Sequence, residues 1–205
     1  MSGEAKEVAG VAADPSAPQT TSMFVLPMFR VAKIGGFDQN KDGLVQALMN
    51  RREFDKGVPA STAVSGAWQS KPDLHKWENL HINWLVSAIE RNAREILAPQ
   101  GIKKVETVEM WANINLRGGW NLAHDHGAHP LTGILHVQAD EKSDSLLEIF
   151  NPLPVPHLYG LPSAVRLKAS PGQFALWPGP LKHTVWPNLS DVPRISVGFN
   201  FVFGF

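Results

Sequence analysis

The chain has 205 residues, and its 19 lysines and arginines balance 19 aspartates and glutamates, so its formal net charge is zero. This length predicts one domain that buries its core without added cross-links. The neutral balance gives no electrostatic reason to bind nucleic acid or an anionic membrane surface, and therefore favours small-molecule chemistry. The absence of cysteine excludes disulfides and thiol nucleophiles and is compatible with the cytoplasm, where we expect the protein to reside.

The first 20 residues mix charged residues with prolines and contain no apolar stretch of the signal-peptide kind. We expect residues 1–20 to form a disordered leader. The rest, residues 21–205, is predicted to form a single domain. In that domain a strand and helices over 21–104 precede a β-rich core over 105–205.

The N-terminal half of the domain shows one strand pattern and two helix patterns. Residues 22–34 are rich in β-branched and aromatic residues and are interrupted by Pro27, which predicts an edge strand. Residues 38–52 have helical apolar spacing, and the small, polar residues 57–66 indicate a loop. Residues 72–99 give the clearest helix, since a proline suits its first turn and an apolar stripe runs along it.

From residue 105 onward the apolar period changes to two, and proline and glycine turns separate short segments. Eight strands are predicted, at about 105–116, 122–126, 131–137, 146–150, 164–169, 173–177, 182–186 and 194–203. The pattern predicts a mainly β fold with flanking helices: a jelly roll whose N-terminal helices pack on one sheet. The proline-rich residues 151–162 are interpreted as a plain connection, with a lid over the barrel mouth as the alternative.

Three histidines and one arginine carry the strongest functional signal. His124 and His126 are two apart, so on extended backbone both imidazoles point the same way and can reach one metal ion. His183, from a later strand, would supply a third ligand. Arg194 follows eleven positions further on and is expected on the next antiparallel strand, where its guanidinium can bind a carboxylate through two hydrogen bonds. The four residues together predict a metal site that uses an organic acid as co-substrate.

Several motifs in the C-terminal half carry a family resemblance. They are Trp111-Ala-Asn113-Ile-Asn115, Asn121-x-x-His124-x-His126, Thr132-Gly133, Phe174-Ala-Leu-Trp177-Pro178, His183 and Arg194-Ile-Ser196-x-x-Phe199-Asn200-Phe201. This set resembles the Fe(II)/2-oxoglutarate oxygenase family found in marine bacteria and phages, a branch of the double-stranded β-helix superfamily. The resemblance covers roughly residues 105–205. It implies a non-haem iron dioxygenase that uses Fe(II), 2-oxoglutarate and dioxygen to hydroxylate a small-molecule or peptide substrate.

The resemblance also assigns roles to individual residues. It implies that His124, His126 and His183 hold the metal while Arg194, helped by Ser196, grips the distal carboxylate of 2-oxoglutarate. His126 departs from the pattern, because most of the superfamily has aspartate or glutamate at that position. A neutral imidazole there leaves a more positive and softer site, which suits Fe(II) but also Zn or Cu. Asp125 is the less favoured alternative ligand, and it would need a bulge or turn to redirect its side chain.

Three asparagines are further candidates for binding the co-substrate. Asn113 and Asn115 share one face of a predicted strand, and an ordinary polar face is the equal alternative. Asn200 lies in an apolar run, where a buried amide needs partners. Two more histidines flank these motifs. His129 is a spare imidazole, and His136 is interpreted as a core residue with satisfied hydrogen bonds rather than as a pocket residue.

Two other functions stay open on the sequence alone. The first is a cupin-like three-histidine metalloenzyme, a dioxygenase or hydrolase that does not use 2-oxoglutarate. The second is a non-enzymatic jelly-roll module that binds a metal structurally, which would need a fourth protein ligand such as His129. The sequence does not identify the primary substrate or the oligomeric state, and a homodimer is compatible with it.

Overall fold

The computed structural model describes residues 26–58, 63–64, 66–143 and 145–204. The predicted leader over residues 1–20 lies outside this part of the chain. The helices are Phe37–Phe54 (α1) and Leu80–Leu97 (α2). The strands are Phe29–Val31 (β1), Ala63–Val64 (β2), Ala67–Gln69 (β3), Lys104–Asn115 (β4), Trp120–His124 (β5), Leu131–Gln138 (β6), Leu146–Phe150 (β7), Ala164–Lys168 (β8), Phe174–Pro178 (β9), His183–Val185 (β10) and Arg194–Gly204 (β11).

The strands form two sheets in which all neighbours pair antiparallel. The larger sheet has the order β1-β9-β6-β11-β4-β3, and the smaller sheet has the order β2-β5-β10-β7-β8. From β4 to β7 each successive strand lies in the opposite sheet, and the chain changes sheet again between β8 and β9, β9 and β10, and β10 and β11. This winding of two facing sheets is the predicted jelly roll.

Both helices cover the larger sheet, as predicted. On β11, the side chains of Val197 and Phe199 are fully buried in one apolar cluster with Leu48 of α1 and Leu85 of α2. The residues that alternate with them must point to the opposite face, between the two sheets. Apolar burial under the helices therefore fixes which β11 residues face the barrel interior. Among the described residues, no helix combines the length and apolarity needed to cross a membrane.

The second helix is shorter than the sequence predicts. It begins at Leu80 rather than at Pro72, since Asn79 takes an extended conformation and its side chain accepts hydrogen bonds from the backbone N–H groups of His81 and Ile82 at 2.9 and 3.2 Å. Residues Leu74–Lys76 form a separate 3₁₀ turn. The sequence predicted too long a helix because Leu74, buried in the 3₁₀ turn ahead of the cap, falls at a spacing that resembles a helical one.

The other differences concern strands. The predicted edge strand over 22–34 is confirmed only as β1, which pairs with β9, and residues 22–25 lie outside the described chain. The predicted loop over 57–66 contains β2, which pairs with β5. The eight C-terminal strands are all present within a few residues of their predicted ends. Two deviations matter for function: β5 ends at His124, and β10 and β11 lie in different sheets.

Candidate active site

A cleft of about 290 Å³ opens between the two sheets and contains most of the predicted site residues. Its walls come from β4, β6, β9 and β11 of the larger sheet and from β5, β7 and β10 of the smaller one. Apolar and aromatic side chains, among them Trp111, Trp177 and Leu147, line its middle. The cleft therefore combines polar groups with an interior that limits access of water.

The three predicted histidines converge in this cleft. His124 ends β5 and lies in register opposite His183, the first residue of β10, and their ring centroids are 4.4 Å apart. The Nε2 atoms of His126 and His183 are separated by 3.4 Å. One ring nitrogen from each histidine lies within 4.8 Å of the others, which is a spacing that one metal ion can bridge.

His126 reaches the cluster in a way that the sequence did not predict. It lies beyond the end of β5, so regular strand alternation does not orient it. Instead, its backbone N–H donates to the Gly179 carbonyl at 2.9 Å, and its ring stacks on Trp111 with centroids 5.3 Å apart. The side chain of Asp125 turns back on the chain and accepts a hydrogen bond from the Gly127 N–H at 3.0 Å. Asp125 is not part of the histidine cluster.

Backbone carbonyls set the tautomers of two of these histidines. Nδ1 of His124 lies 2.7 Å from the Leu122 carbonyl, and Nδ1 of His183 lies 3.1 Å from the Leu181 carbonyl. A carbonyl oxygen only accepts, so each Nδ1 carries the hydrogen and donates it. Each Nε2 is then left with a free lone pair, the form in which imidazole binds a metal.

The protonation of the cluster also suits a metal site. Burial lowers the pKa of His126 to about 4 and that of His183 to about 3, and positive charge on His124 adds to both shifts. These imidazoles are therefore neutral near pH 7. Neutral rings with inward lone pairs, two of them in near contact, are the donor set that a transition metal such as Fe(II) requires.

Arg194 is buried without a counter-charge. It is 2% exposed, and its Nη1 donates to the Ser145 hydroxyl at 2.8 Å, while Nε and Nη2 have no partner among the described residues. Burial lowers the pKa of Arg194 to about 9, so the guanidinium stays charged at neutral pH. An unpaired buried cation is costly, and an anionic ligand would compensate it. The predicted antiparallel neighbour relation to β10 is wrong, since β11 crosses to the larger sheet and pairs with β4 and β6.

Four cross-strand rows of β4 and β11 order the cleft from one end to the other. Arg194 lies opposite Asn115, Ser196 opposite Asn113, Gly198 opposite Trp111, and Asn200 opposite Glu109. At about 3.3 Å per residue, the first and last rows are roughly 20 Å apart. The stacking of Trp111 on His126 places the histidine cluster beside the third row. Ser196 and Asn113 line the cleft, whereas Arg194 lies buried one row behind them. We call the region around Arg194 the cationic end; the middle of the cleft holds the imidazoles, and the other end is acidic.

His136 belongs to the cationic end, which corrects its interpretation as a satisfied core residue. It is fully buried on β6 opposite Ser196, and neither ring nitrogen has a hydrogen-bond partner among the described residues. Burial first, and the charge of Arg194 second, lower the pKa of His136 to about 3. A neutral imidazole carries one N–H, so His136 offers an unused donor beside the guanidinium. In the sequence, the alternation of His136 with Ile134, which lines the cleft, was the sign that His136 faces the barrel interior.

The asparagines divide between the two ends. Asn113 and Asn115 face inward near Arg194, and each has a buried Oδ1 without a partner, although Asn115 Nδ2 donates to Asn121 Oδ1 at 3.0 Å. Asn200 lies six residues from Arg194 on the same strand and donates from Nδ2 to Glu109 Oε2 at 2.7 Å. Strand register thus brings two of the three predicted asparagines to the guanidinium and not the third.

Sequence reasoning missed several residues of the site. Glu109 lines the acidic end, and its Oε2 lies 3.3 Å from Nε2 of His129, which therefore stays outside the metal cluster. Ser145, on the loop before β7, supplies the only hydrogen bond that the Arg194 side chain makes among the described residues. Trp177 packs edge-on against His183 with centroids 5.1 Å apart. Single polar residues such as Ser145 give no pattern that a sequence reveals.

The proline-rich residues 151–162 border a second, larger cavity of about 810 Å³, which shares Trp177 with the cleft. They form no strand, and Pro156–Tyr159 makes a 3₁₀ turn whose Leu158 and Tyr159 are 70% and 65% exposed. The segment is a surface connection at the barrel mouth. Its movement as a lid stays a prediction.

A double-stranded β-helix with converging histidines and a buried arginine defines a class of metal-dependent enzymes that employ an organic acid. Comparison with known proteins identifies the class more closely. Residues 109–200 match the family model described as "Putative 2OG-Fe(II) oxygenase". This match, over a little under half of the chain, confirms the predicted resemblance to 2-oxoglutarate-dependent iron oxygenases. No curated protein matches the chain in sequence.

Solved structures with this fold agree with the family match. A prolyl-4-hydroxylase of Pseudomonas putida is 13% identical, with 86% of this chain and 92% of that chain covered and a TM-score of 0.62. A viral collagen prolyl hydroxylase from Paramecium Bursaria Chlorella virus-1, in a 2OG complex, is 16% identical, with coverage of 85% and 96% and a TM-score of 0.57. HygX from Streptomyces hygroscopicus, with nickel and 2-oxoglutarate bound, is 12% identical, with coverage of 86% and 82% and a TM-score of 0.57. At these identities the likeness establishes the fold.

Proposed function

We propose that this protein is a 2-oxoglutarate-dependent oxygenase that holds Fe(II) through His124, His126 and His183 and binds the distal carboxylate of 2-oxoglutarate through Arg194. The observation that carries the proposal is a buried guanidinium without a counter-charge, which shares a barrel interior with three converging imidazoles. When bound, the iron with 2-oxoglutarate supplies the activation of dioxygen that hydroxylation of a substrate requires. The protein's own residues bind, orient and shield these partners.

The three histidines act as the metal ligands. Their Nε2 lone pairs are directed inward by backbone contacts at Nδ1 in His124 and His183. Three protein ligands leave positions free for the co-substrate and dioxygen. We favour His126 over Asp125 as a ligand, since the Asp125 carboxylate already accepts the Gly127 N–H and lies outside the histidine cluster.

The cationic end of the cleft recognises the distal carboxylate. Nε and Nη2 of Arg194 are free to donate two parallel hydrogen bonds, while Nη1 is held by Ser145. Ser196 and His136 lie in the next row and add a hydroxyl and an unused imidazole N–H. Asn113 and Asn115 supply amide groups on the facing strand. These donors fix the acid so that its other end reaches the histidine cluster.

Two further features support an enzyme rather than a binding module. Trp111 and Trp177 pack against His126 and His183, which shields the reacting centre from water. A structural metal site would be closed by a fourth ligand, but His129 pairs with Glu109 instead. The cupin-like alternative without 2-oxoglutarate provides no anion to compensate the buried charge of Arg194. It also does not explain the family match.

We further propose that the organic substrate is a small molecule or a peptide. The similar structures include a prolyl hydroxylase from Trichoplax adhaerens in complex with a peptide fragment and HygX with hygromycin B bound, so this fold accommodates both kinds of ligand. A net charge of zero gives no electrostatic reason for nucleic acid or membrane binding. A cytoplasmic location and a homodimer stay predictions.

The test is succinate formation from 2-oxoglutarate with Fe(II) under air, without a primary substrate. The wild type is expected to turn over slowly, and His183→Ala and Arg194→Ala are each expected to lose most of that activity. Arg91→Ala on the exposed face of α2 is the control and should match the wild type. Equal succinate formation in all four proteins would overturn the proposal.

A further inference from the structure

The acidic end of the cleft, where Glu109 and Asn200 lie, is built as a rigid acceptor site. Glu109 Oε2 accepts a hydrogen bond from Asn200 Nδ2 at 2.7 Å and lies 3.3 Å from His129 Nε2. Two groups from different strands and loops therefore hold one carboxylate oxygen in place. The other oxygen, Oε1, makes no hydrogen bond among the described residues, and Glu109 lines the cleft with 41% of its side chain exposed.

The amide of Asn200 adds a second acceptor whose orientation is fixed by chemistry. A carboxylate only accepts, so Nδ2 must face Glu109 and Oδ1 must point away from it. Asn200 is 2% exposed and lines the cleft, yet its Oδ1 has no partner among the described residues. A buried acceptor without a donor is costly, and a ligand that donates would remove the cost.

A β-bulge places these acceptors. Pairing between β4 and β11 shifts after Asn200, so that Glu109 opposes Asn200 while Phe201 already opposes Thr107. Val108 is the extra residue on β4. Bulges occur often beside active sites, where they redirect a side chain. Here the bulge lies directly beside the pair of Glu109 and Asn200, at the acidic end of the cleft.

The charges of the cleft wall favour a cationic ligand at this end. Asp125 also lines the cleft, and among the described lining residues there is no lysine or arginine. Arg194, the only buried lysine or arginine in the part of the chain that the structure describes, is roughly 20 Å away along β11. The end of the cleft that lies beyond the histidines is therefore negative, whereas the end assigned to 2-oxoglutarate is positive.

We propose that Glu109 and Asn200 bind a cationic group of the primary substrate, an ammonium or a guanidinium, and so position the neighbouring carbon atoms beside the histidine cluster. This inference rests on the proposed function, since it assigns the opposite end of the cleft to 2-oxoglutarate. It moves Asn200 from the co-substrate, where sequence reasoning had placed it, to the substrate. A substrate with an anionic or purely apolar end would leave Oε1 of Glu109 without a hydrogen-bond donor.

The experiment uses the full chain loaded with Mn(II), whose paramagnetism broadens the NMR signals of any ligand bound nearby. Four probes of similar size are compared, with and without 2-oxoglutarate: n-butylammonium, n-butylguanidinium, 1-pentanol and pentanoate. The two cations are expected to bind about fivefold more tightly than 1-pentanol, as for a partly exposed ion pair. Glu109→Gln should reduce their affinity to that of 1-pentanol.

Glu106→Gln is the matched control, because Glu106 lies on the same strand but pairs with Lys104 at the surface. It should leave all four affinities unchanged. Equal binding of cations and 1-pentanol, tighter binding of pentanoate while 2-oxoglutarate is bound, or a cation preference that survives in Glu109→Gln would overturn the inference. Calorimetry of 2-oxoglutarate binding to the Mn(II) protein separates the two proposals. If 2-oxoglutarate does not bind, the proposed co-substrate site is wrong. The preference for cations is measured in any case with Mn(II) alone.

Discussion

Nε2 of His126 faces Nε2 of His183 at 3.4 Å, with the two ring planes only 13° apart. The Leu181 carbonyl fixes the proton of His183 on Nδ1, so its Nε2 presents a lone pair to the neighbouring ring. Two imidazole nitrogens held in this way stabilise each other little, whereas a metal ion that both nitrogens coordinate would be bound favourably. The fold thus holds the proposed metal ligands in position before a metal binds.

Metal binding should therefore depend on His183 and tolerate a carboxylate at position 126. We expect His183→Ala to lower the Mn(II) affinity at least tenfold, whereas His126→Asp should retain or improve it, because a carboxylate offsets the positive charge of the metal. Titration calorimetry with Mn(II) measures both. If His126→Asp and His126→Leu bind Mn(II) as the wild type does, position 126 is not a ligand.

Arg194→Met should separate stability from co-substrate binding. Replacing an uncompensated buried charge by an apolar side chain of similar length is often neutral or stabilising by about 1–4 kcal/mol. We expect the metal-free variant to be at least as stable as the wild type in urea. In the presence of Mn(II), 2-oxoglutarate should raise the melting temperature of the wild type and not that of the variant. A marked loss of stability together with intact 2-oxoglutarate binding would contradict the assignment.

His136 should make the stability of the protein dependent on pH. Burial and Arg194 hold its pKa at about 3 in the folded state, below the ordinary value of 6.5, so between these values only the unfolded chain takes up the proton. Stability then falls as the pH falls from about 6.5 towards 3, by about 1.4 kcal/mol per pH unit. His136→Gln should lose about 2 kcal/mol less than the wild type between pH 6.5 and 5 in urea unfolding. Parallel losses in the two proteins would refute the assignment.

Gly198→Ala should disturb the aromatic support of His126. A Cβ at Gly198 would lie 2.5 Å from the Trp111 indole, which stacks on the His126 ring. We expect a loss of about 1–3 kcal/mol in unfolding free energy and weaker Mn(II) binding, because the indole must move. Gly204→Ala on the same strand is the control, since nothing lies within 4 Å of its added Cβ. Equal Mn(II) affinities in the two variants would show that Trp111 does not support the ligand.

The sequence predicted those parts of the molecule that repeat or alternate. Strand alternation predicted the eight C-terminal strands, and the histidine spacing predicted which rings meet. It did not predict that His126 lies beyond its strand, because its orientation depends on a contact with Gly179, which is distant in sequence. Nor did it single out Glu109, because a lone carboxylate forms no motif even though Glu109 alternates regularly with Trp111 and Asn113 along β4. The pairing of β11 with β4, and not with β10, follows from how the whole barrel closes.

The ordering of the cross-strand rows has a consequence for how such an enzyme diversifies. Arg194, proposed to bind the distal carboxylate, Trp111, which stacks on His126, and Glu109, at the acidic end, lie in separate rows of the same pair of strands. A substitution at Glu109 would therefore change which substrate binds without disturbing the guanidinium of Arg194, which lies in the row at the other end. One scaffold can in this way acquire new substrates while its oxidising machinery stays intact.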